Sequence, residues 1–408
     1  MFQSRIVWIL LLALSLPFGA WALPRNVVVM IPDGTGHASL TVARQLKGAP
    51  LALDQATYGI IQTRSANSSV TDSAAAATAL ACGERTYNGA VGVNPAKVPL
   101  QSIAEAAKAC GKAVGIVTTD TITGATPAAF SAHVTGRTQA DTIFEQQLNS
   151  GFDLFLGGGR EHLTPARKAL ATANGYALPT SAHELAAAEG KIFGLFSNGP
   201  MTAMVERRAH PETCAEPTLP QMAAKALDLL SADPDGFFLM IEGAQVDHGN
   251  HVGDLPWATY EMLAFDDTVA LVLAWAEKHP ETIVMIMPDH ETGGLTLLKE
   301  PTEGARAQAL AAATAKQSCS PKKCFVHYST SSHTGVDVFL AGNTPALHPL
   351  RNCDVPRVLG HTPAPLHELQ GTPEALNGVP HLRLADGTLL RAQQEAIYVP
   401  ETGRWFAR

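Results

Sequence analysis

"NVVVMIPDG", residues 26–34, is a short, unbroken run of branched and apolar side chains closed by a proline, an acid and a glycine. An apolar run that does not alternate, bounded by turn residues, reads as a strand covered on both faces. The same shape recurs in "AVGIVTT" (113–119), "FDLFLGGG" (152–159), "FFLMIEGA" (237–244) and "TIVMIMPDH" (282–290). Between these runs lie helical patterns, among them Leu100 to Ala109 and Trp257 to Lys278, where Met262, Phe265, Val269, Val272 and Ala276 keep a three-to-four spacing. Buried strands alternating with helices predict an α/β fold: a mainly parallel central sheet flanked by helices on both faces. No repeat of fixed period is present.

Two stretches fall outside this rhythm. From about Leu297 to Val326 the chain is polar and alanine-rich and runs into "SCSPKKC", which reads as a small insert over one edge of the sheet. Beyond about Asn343 it is proline-rich, and "HLRLADGTLLRA" (381–392) predicts a hairpin turning at Asp386-Gly387, so the C-terminal appendage should be rich in β-structure.

The first 22 residues carry one positive charge, Arg5, an apolar stretch from Ile6 to Leu16, and the small-x-small ending Ala20-Trp21-Ala22. They read as a cleaved secretory signal, which implies a periplasmic or secreted protein with no membrane partner after cleavage. Removing them leaves 386 residues with 28 basic and 37 acidic side chains, a net charge of −9 and no basic run suited to a phosphate backbone. Nucleic acid is therefore not an expected partner. Of the six cysteines, Cys319 and Cys324 are close enough in sequence to suggest a pair.

Three of the strands end in acid: Asp33, Glu242, and Asp289 followed by His290. In open α/β sheets ligands bind beyond the carboxyl ends of the strands. Three carboxylates on one such edge repel each other at neutral pH unless a cation lies between them. Downstream of Glu242, Asp247 and His251 stand four apart and reach one ion from the same side of a turn. His333 precedes its strand, so it meets the others only if that strand runs antiparallel to its neighbours. Asp with two His is a common zinc set, Asp with Asp-His makes a second, and hydroxyl with carboxylate oxygens suits magnesium.

"SVTDSAAAATALACG" (69–83) sets Ser73 at the head of an alanine helix, with Thr71, Asp72 or Ser73 itself at the cap. Unpaired backbone N–H groups at a helix start favour an anion, and small side chains let it approach.

Six segments now resemble the alkaline phosphatase family, in that family's order: "PDGTG" at 32, "VTDSAAAATALACGERTYNGAVGV" at 70, "ATPAAFSAHVTGR" at 125, "IEGAQVDHGNH" at 241, "PDHETGG" at 288 and "SSHTG" at 331. The resemblance implies a catalytic domain over residues 23–343, followed by an extension over 344–408. It implies that Ser73 is the nucleophile, that Asp247, His251 and His333 hold one zinc, and that Asp33, Asp289 and His290 hold a second beside Ser73. It further implies a magnesium held by Asp33, Thr126 and Glu242, and a phosphate grip by Arg137, whose planar fork matches two oxygens. Asp72 and His248 are the implied supporting residues around the phosphate. Phosphate monoesters would be hydrolysed through a phosphoserine, with an alkaline optimum.

Four departures accompany the resemblance. Gly124 stands where the family carries Asp or His near the magnesium, so weak magnesium binding is expected unless Asp120 reaches in instead. His248 stands where some members carry Lys. Thr292 replaces a histidine found in many members. The N-terminal arm that embraces a second subunit in some members is absent before the first strand, which leaves the oligomeric state open. A sulfatase or phosphodiesterase relative would share the metal site, but a sulfatase would want a Pro-x-Arg pattern at the nucleophile, and Ser73 is followed by two alanines. An exported phosphate-binding protein would have no use for two His-carboxylate sets.

Overall fold

The structure is a computed structural model that describes residues 24–212, 214–304, 325–343 and 350–407. The expected signal segment and the suggested Cys319–Cys324 pair fall outside those residues. The strands of the main sheet are β1 (Asn26–Pro32), β2 (Thr57–Gln62), β3 (Ala113–Thr121), β4 (Leu154–Gly158), β5 (Tyr176–Ala177), β6 (Lys191–Leu195), β7 (Phe237–Gly243) and β8 (Thr282–Ile286). Beyond them come two small pairs, β9 (Glu291–Thr292) with β12 (His333–Thr334) and β10 (Leu295–Leu297) with β11 (Val326–Tyr328). β13 (Val338–Gly342) and β14 (Leu350–Arg351) complete the ten-stranded sheet, whose order is β14-β2-β13-β8-β1-β7-β3-β4-β6-β5.

Every pairing in the main sheet is parallel except those of β13, which runs antiparallel to both β8 and β2. This one reversal brings the residues before β13, His333 included, to the edge where the parallel strands end. Val27, Val29 and Ile31 of β1 enter the core on one face of the sheet, Val28 and Met30 the core on the other. Both faces of β1 are covered, which is why its sequence does not alternate.

The predicted helices form, with shifted starts. The first begins at Ile103 rather than Leu100, because Ser102 and Glu105 close a reciprocal capping box. Leu100 instead bridges to Pro365 of the C-terminal segment. The long helix spans Leu255–Ala276, with the Asp254 side chain accepting from Trp257 N and Pro256 in its first turn. Among the described residues no helix is long and apolar enough to cross a membrane. Cys82, Cys110, Cys214 and Cys353 are free.

The roots of the insert, β10 and β11, pair with each other and pack Leu295, Phe325 and Val326 against Val42 and Leu46. Most of the insert lies outside the described residues. After β14, a short helix over Val355–Val358 lies against the 73–82 helix, and Arg85 Nε donates to Asn352 Oδ1 at 3.0 Å. Two three-stranded sheets then follow, β15 (Glu368–Leu369) with β20 (Arg404–Ala407) and β19 (Ala396–Val399), and β16 (Thr372–Leu376) with β17 (Val379–Arg383) and β18 (Leu389–Arg391). The expected hairpin is the β17–β18 pair.

Candidate active site

The acids at the strand ends meet at the C-terminal edge of the sheet, as their positions predict. Register places Ile31 of β1 and Thr118 of β3 on either side of Glu242 of β7, so Asp33, Glu242 and the residues after Thr118 leave the sheet together. Gly34 turns the chain immediately after Asp33 with φ +67, and a Cβ there would lie 2.6 Å from Asp247 Oδ1. Only glycine accepts both the angle and the approach.

Two groups of ligand-type side chains result, Asp33, Asp289 and His290 in one, Asp247, His251 and His333 in the other; within each, the candidate donor atoms lie within 4.8 Å of one another. In the second group His333 Nδ1 faces the Thr71 carbonyl at 2.8 Å and His251 Nδ1 faces the Ser331 carbonyl at 2.7 Å. A carbonyl only accepts, so each ring carries a proton on Nδ1 and turns its Nε2 inward. The two Nε2 atoms stand 3.2 Å apart, and Asp247 Oδ2 is 3.2 Å from that of His251. A second proton on His251 Nε2 bonds Asp247 when no ion is bound, and a divalent cation can take that proton's place among the two Nε2 atoms and the carboxylate.

In the first group Asp33 Oδ1 and Asp289 Oδ2 are buried without a hydrogen-bond donor. Orphaned buried carboxylate oxygens are costly, and a bound cation satisfies them. Burial, with Asp289, Asp247 and Glu242 close by, pushes the Asp33 carboxyl well above its usual range. The residues fit divalent cations in both places.

Thr292 joins the two groups. Its hydroxyl donates to Asp247 Oδ1 and lies 3.2 Å from His290 Nδ1, from which it accepts. His290 Nε2 is thereby left as an acceptor, and Ser73 Oγ donates to it at 3.1 Å. Burial holds His290 below its ordinary pKa, in keeping with a neutral ring. For Asp247, burial would raise the pKa, but the His251 hydrogen bond and the neighbouring imidazoles outweigh it and hold the carboxyl low. The same hydrogen bond lifts His251 to about 9.

Ser73 is the first residue of the 73–82 helix, and Asp72 is the cap, its carboxylate accepting from Ala75 N at 3.0 Å. Every residue of this helix is buried. The other Asp72 oxygen accepts from Gly89 N at 3.0 Å and lies 3.4 Å from Arg137 Nη1. Arg137 keeps a side chain 39% exposed, so its guanidinium remains open to an incoming anion.

Alongside the buried group, Thr126 Oγ1 lies 3.4 Å from Asp33 Oδ2, and Thr118 donates to Glu242 Oε2. Thr118 was not foreseen; the signal was its place in "TTD" at the end of β3. Burial and the nearby Asp120 push Glu242 up to about 8. Gly124 has φ −54, an angle open to any residue, but a Cβ there would meet Asp120 Oδ2 at 2.5 Å. Asp120 thus fills the space beside Gly124. Burial raises Asp120, while His248 and Arg137 act in the opposite sense.

The sequence model of the alkaline phosphatase family matches residues 24–338. The repressible alkaline phosphatase of Saccharomyces cerevisiae is 36% identical over 324 residues, 68% of this chain and 56% of that protein. The chain spans little more than half the length of that protein and of the alkaline phosphatase of Schizosaccharomyces pombe. The cold-active alkaline phosphatase of a Shewanella species superposes with a TM-score of 0.74 at 28% identity, covering 82% of this chain and 99% of that one. A variant of the Antarctic bacterium TAB5 enzyme with magnesium bound gives 0.70 at 28% identity, over 83% of this chain and 97% of that one. With a sheet edge, a buried serine and two His-carboxylate groups arranged in this way, the chain belongs to the alkaline phosphatase family.

Proposed function

We propose that the protein hydrolyses phosphate monoesters through a phosphoserine formed on Ser73. The observation that carries this reading is the placement of the Ser73 hydroxyl, 3.1 Å from His290 Nε2 at a helix start, with two ligand groups joined by Thr292 beside it. Asp247, His251 and His333 would hold one zinc, Asp33, Asp289 and His290 the other, and Asp33, Thr126 and Glu242 a magnesium. When bound, these cations supply Lewis acidity that favours the ionised forms of serine and water and offsets charge on the departing oxygen.

The chain's own residues do the rest. Arg137 and the first N–H groups of the 73–82 helix bind the phosphoryl oxygens and orient phosphorus over Ser73 Oγ. Ser73 Oγ gives up its proton and forms the new O–P bond while the ester O–P bond breaks in line, and the alcohol leaves with a proton. Water then attacks the phosphoserine from the vacated side. Its O–P bond forms, the Ser73 O–P bond breaks, Ser73 Oγ regains a proton and inorganic phosphate departs. Two inversions give net retention. The alanines behind Ser73 leave the helix start unobstructed, and no pocket for the alcohol is required, so many monoesters should serve.

For the magnesium place, we infer that Asp120 supplies the carboxylate that Gly124 lacks, because its Oδ2 lies 2.5 Å from where a Cβ at 124 would stand. His248 is close enough to Asp120 to favour its ionised form.

Acid quenching during turnover of a radiolabelled monoester, followed by peptide mapping, tests the reading. Label on Ser73 that disappears in Ser73→Ala, with zinc content retained, is the expected result. Label on any other residue overturns it.

A further inference from the structure

Arg137 sits on an irregular loop between the 125–129 and 140–148 helices. A planar two-point clamp works only if its backbone is fixed to within a fraction of an ångström. Part of that fixing is local: Arg137 N donates to Gly89 O at 2.8 Å, and Tyr87 Oη donates to Thr135 O at 3.1 Å. The remainder comes from the end of the chain, beyond the residues that match the family.

Glu401, in the turn between β19 and β20, receives Thr135 Oγ1 at 2.6 Å and Gln139 Nε2 at 3.2 Å on one carboxylate oxygen. Gln139 Nε2 also donates to Thr135 Oγ1 at 3.1 Å, so the three side chains form a closed ring two residues to either side of Arg137. At the start of the loop, Gln146 grips the His133 backbone from both sides, its Oε1 accepting from His133 N at 2.8 Å and its Nε2 donating to His133 O at 3.1 Å. Gln393, just before β19, accepts from Gln146 Nε2 at 2.7 Å. Its own Nε2 donates to Tyr398 O at 2.7 Å, which locks it to β19.

We propose that the C-terminal β19–β20 unit braces the arginine loop, with Glu401 and Gln393 as positioning residues for phosphate binding through Arg137. The proposal rests on the reading of Arg137 as the phosphate grip. It gives the β19–β20 unit a role in the site although, among the described residues, no hydrogen bond or ion pair joins it to the two ligand groups.

Glu401→Ala removes the acceptor of the ring, whereas Glu401→Gln keeps an oxygen in place. Calorimetric titration of the full-length, metal-loaded protein with inorganic phosphate, alongside KM and kcat for a chromogenic monoester, reads the effect. Glu401→Ala should weaken phosphate by about three- to tenfold and raise KM in parallel, with Glu401→Gln restoring most of the loss and zinc content unchanged. Arg137→Ala should weaken phosphate by roughly 10- to 100-fold. In the Arg137→Ala background Glu401→Ala should then add nothing, since a residue acting through Arg137 has no further route. An undiminished effect in that background, or no effect of Glu401→Ala on phosphate where Arg137→Ala has one, overturns the brace alone. If Arg137→Ala leaves phosphate affinity unchanged, the reading of Arg137 fails and the brace with it.

Discussion

The two ligand groups differ in how far they satisfy themselves. In the group of Asp33, Asp289 and His290 the side chains are buried and two carboxylate oxygens have no donor. In the group of Asp247, His251 and His333 the His251 side chain is 34% exposed and already paired with Asp247. A buried set with orphaned oxygens must take up protons or a cation, whereas an open set with an internal ion pair can wait for one. The buried group should therefore bind its ion as part of folding. The open one should exchange it with solvent.

The sharpest way to break this contrast is to remove one candidate ligand from each group. Asp289→Ala should cost turnover roughly a thousandfold or more and resist rescue by added zinc. His333→Ala should cost about 100-fold, more than Arg137→Ala, and recover in part as zinc is raised. Steady-state turnover across a zinc titration checks both, and equal losses with equal rescue would remove the distinction.

A second measurement uses pH. The raised pKa values of Asp33 and Glu242 mean that, after chelation, the folded protein holds protons that the unfolded chain has released. That contribution is complete below the ordinary carboxylate range and is lost as pH rises through about 8. His251 acts in the same sense, complete below its ordinary value and lost through about 9. Melting of chelated protein should therefore fall steadily from about pH 5 to about pH 9, and zinc with magnesium should flatten the curve by keeping the carboxylates ionised. A flat or rising curve for the chelated protein would count against the buried cluster as a cation site.

The smallest expected effect concerns the third place. Asp120→Asn should weaken magnesium by about 10- to 100-fold while leaving zinc untouched and costing turnover less than about tenfold. Gly124→Asp, although allowed by its backbone angle, should not tighten magnesium while Asp120 remains, since the new Cβ would collide with the Asp120 carboxylate. Metal analysis after dialysis decides, and tighter magnesium in Gly124→Asp alone would refute the substitution of one carboxylate by the other.

Much of this arrangement was legible because it follows from strand direction. Apolar runs fix the parallel strands, each strand's end fixes where its acid emerges, and the need to bring His333 inward predicts the reversal of β13 that the sheet displays. What was not legible depends on single hydrogen bonds across long separations. Nothing around Thr292 marks it as the hydroxyl that joins the two groups, since its partners are set by the β9–β12 pairing. Glu401 lies 266 residues from Thr135, and no periodicity links them. The occupation of the Gly124 space by Asp120 is a packing outcome, visible only once the turn after β3 has closed.

The helix that carries Ser73 has no solvent face. Reactive groups on surface loops lose their geometry through local opening, at little free-energy cost and long before the domain unfolds. Ser73 is denied that route, because disordering its helix means opening the core on which the sheet depends. In mechanical terms the reactive oxygen is mounted on the frame, and it should hold its aim up to the temperature at which the frame itself gives way.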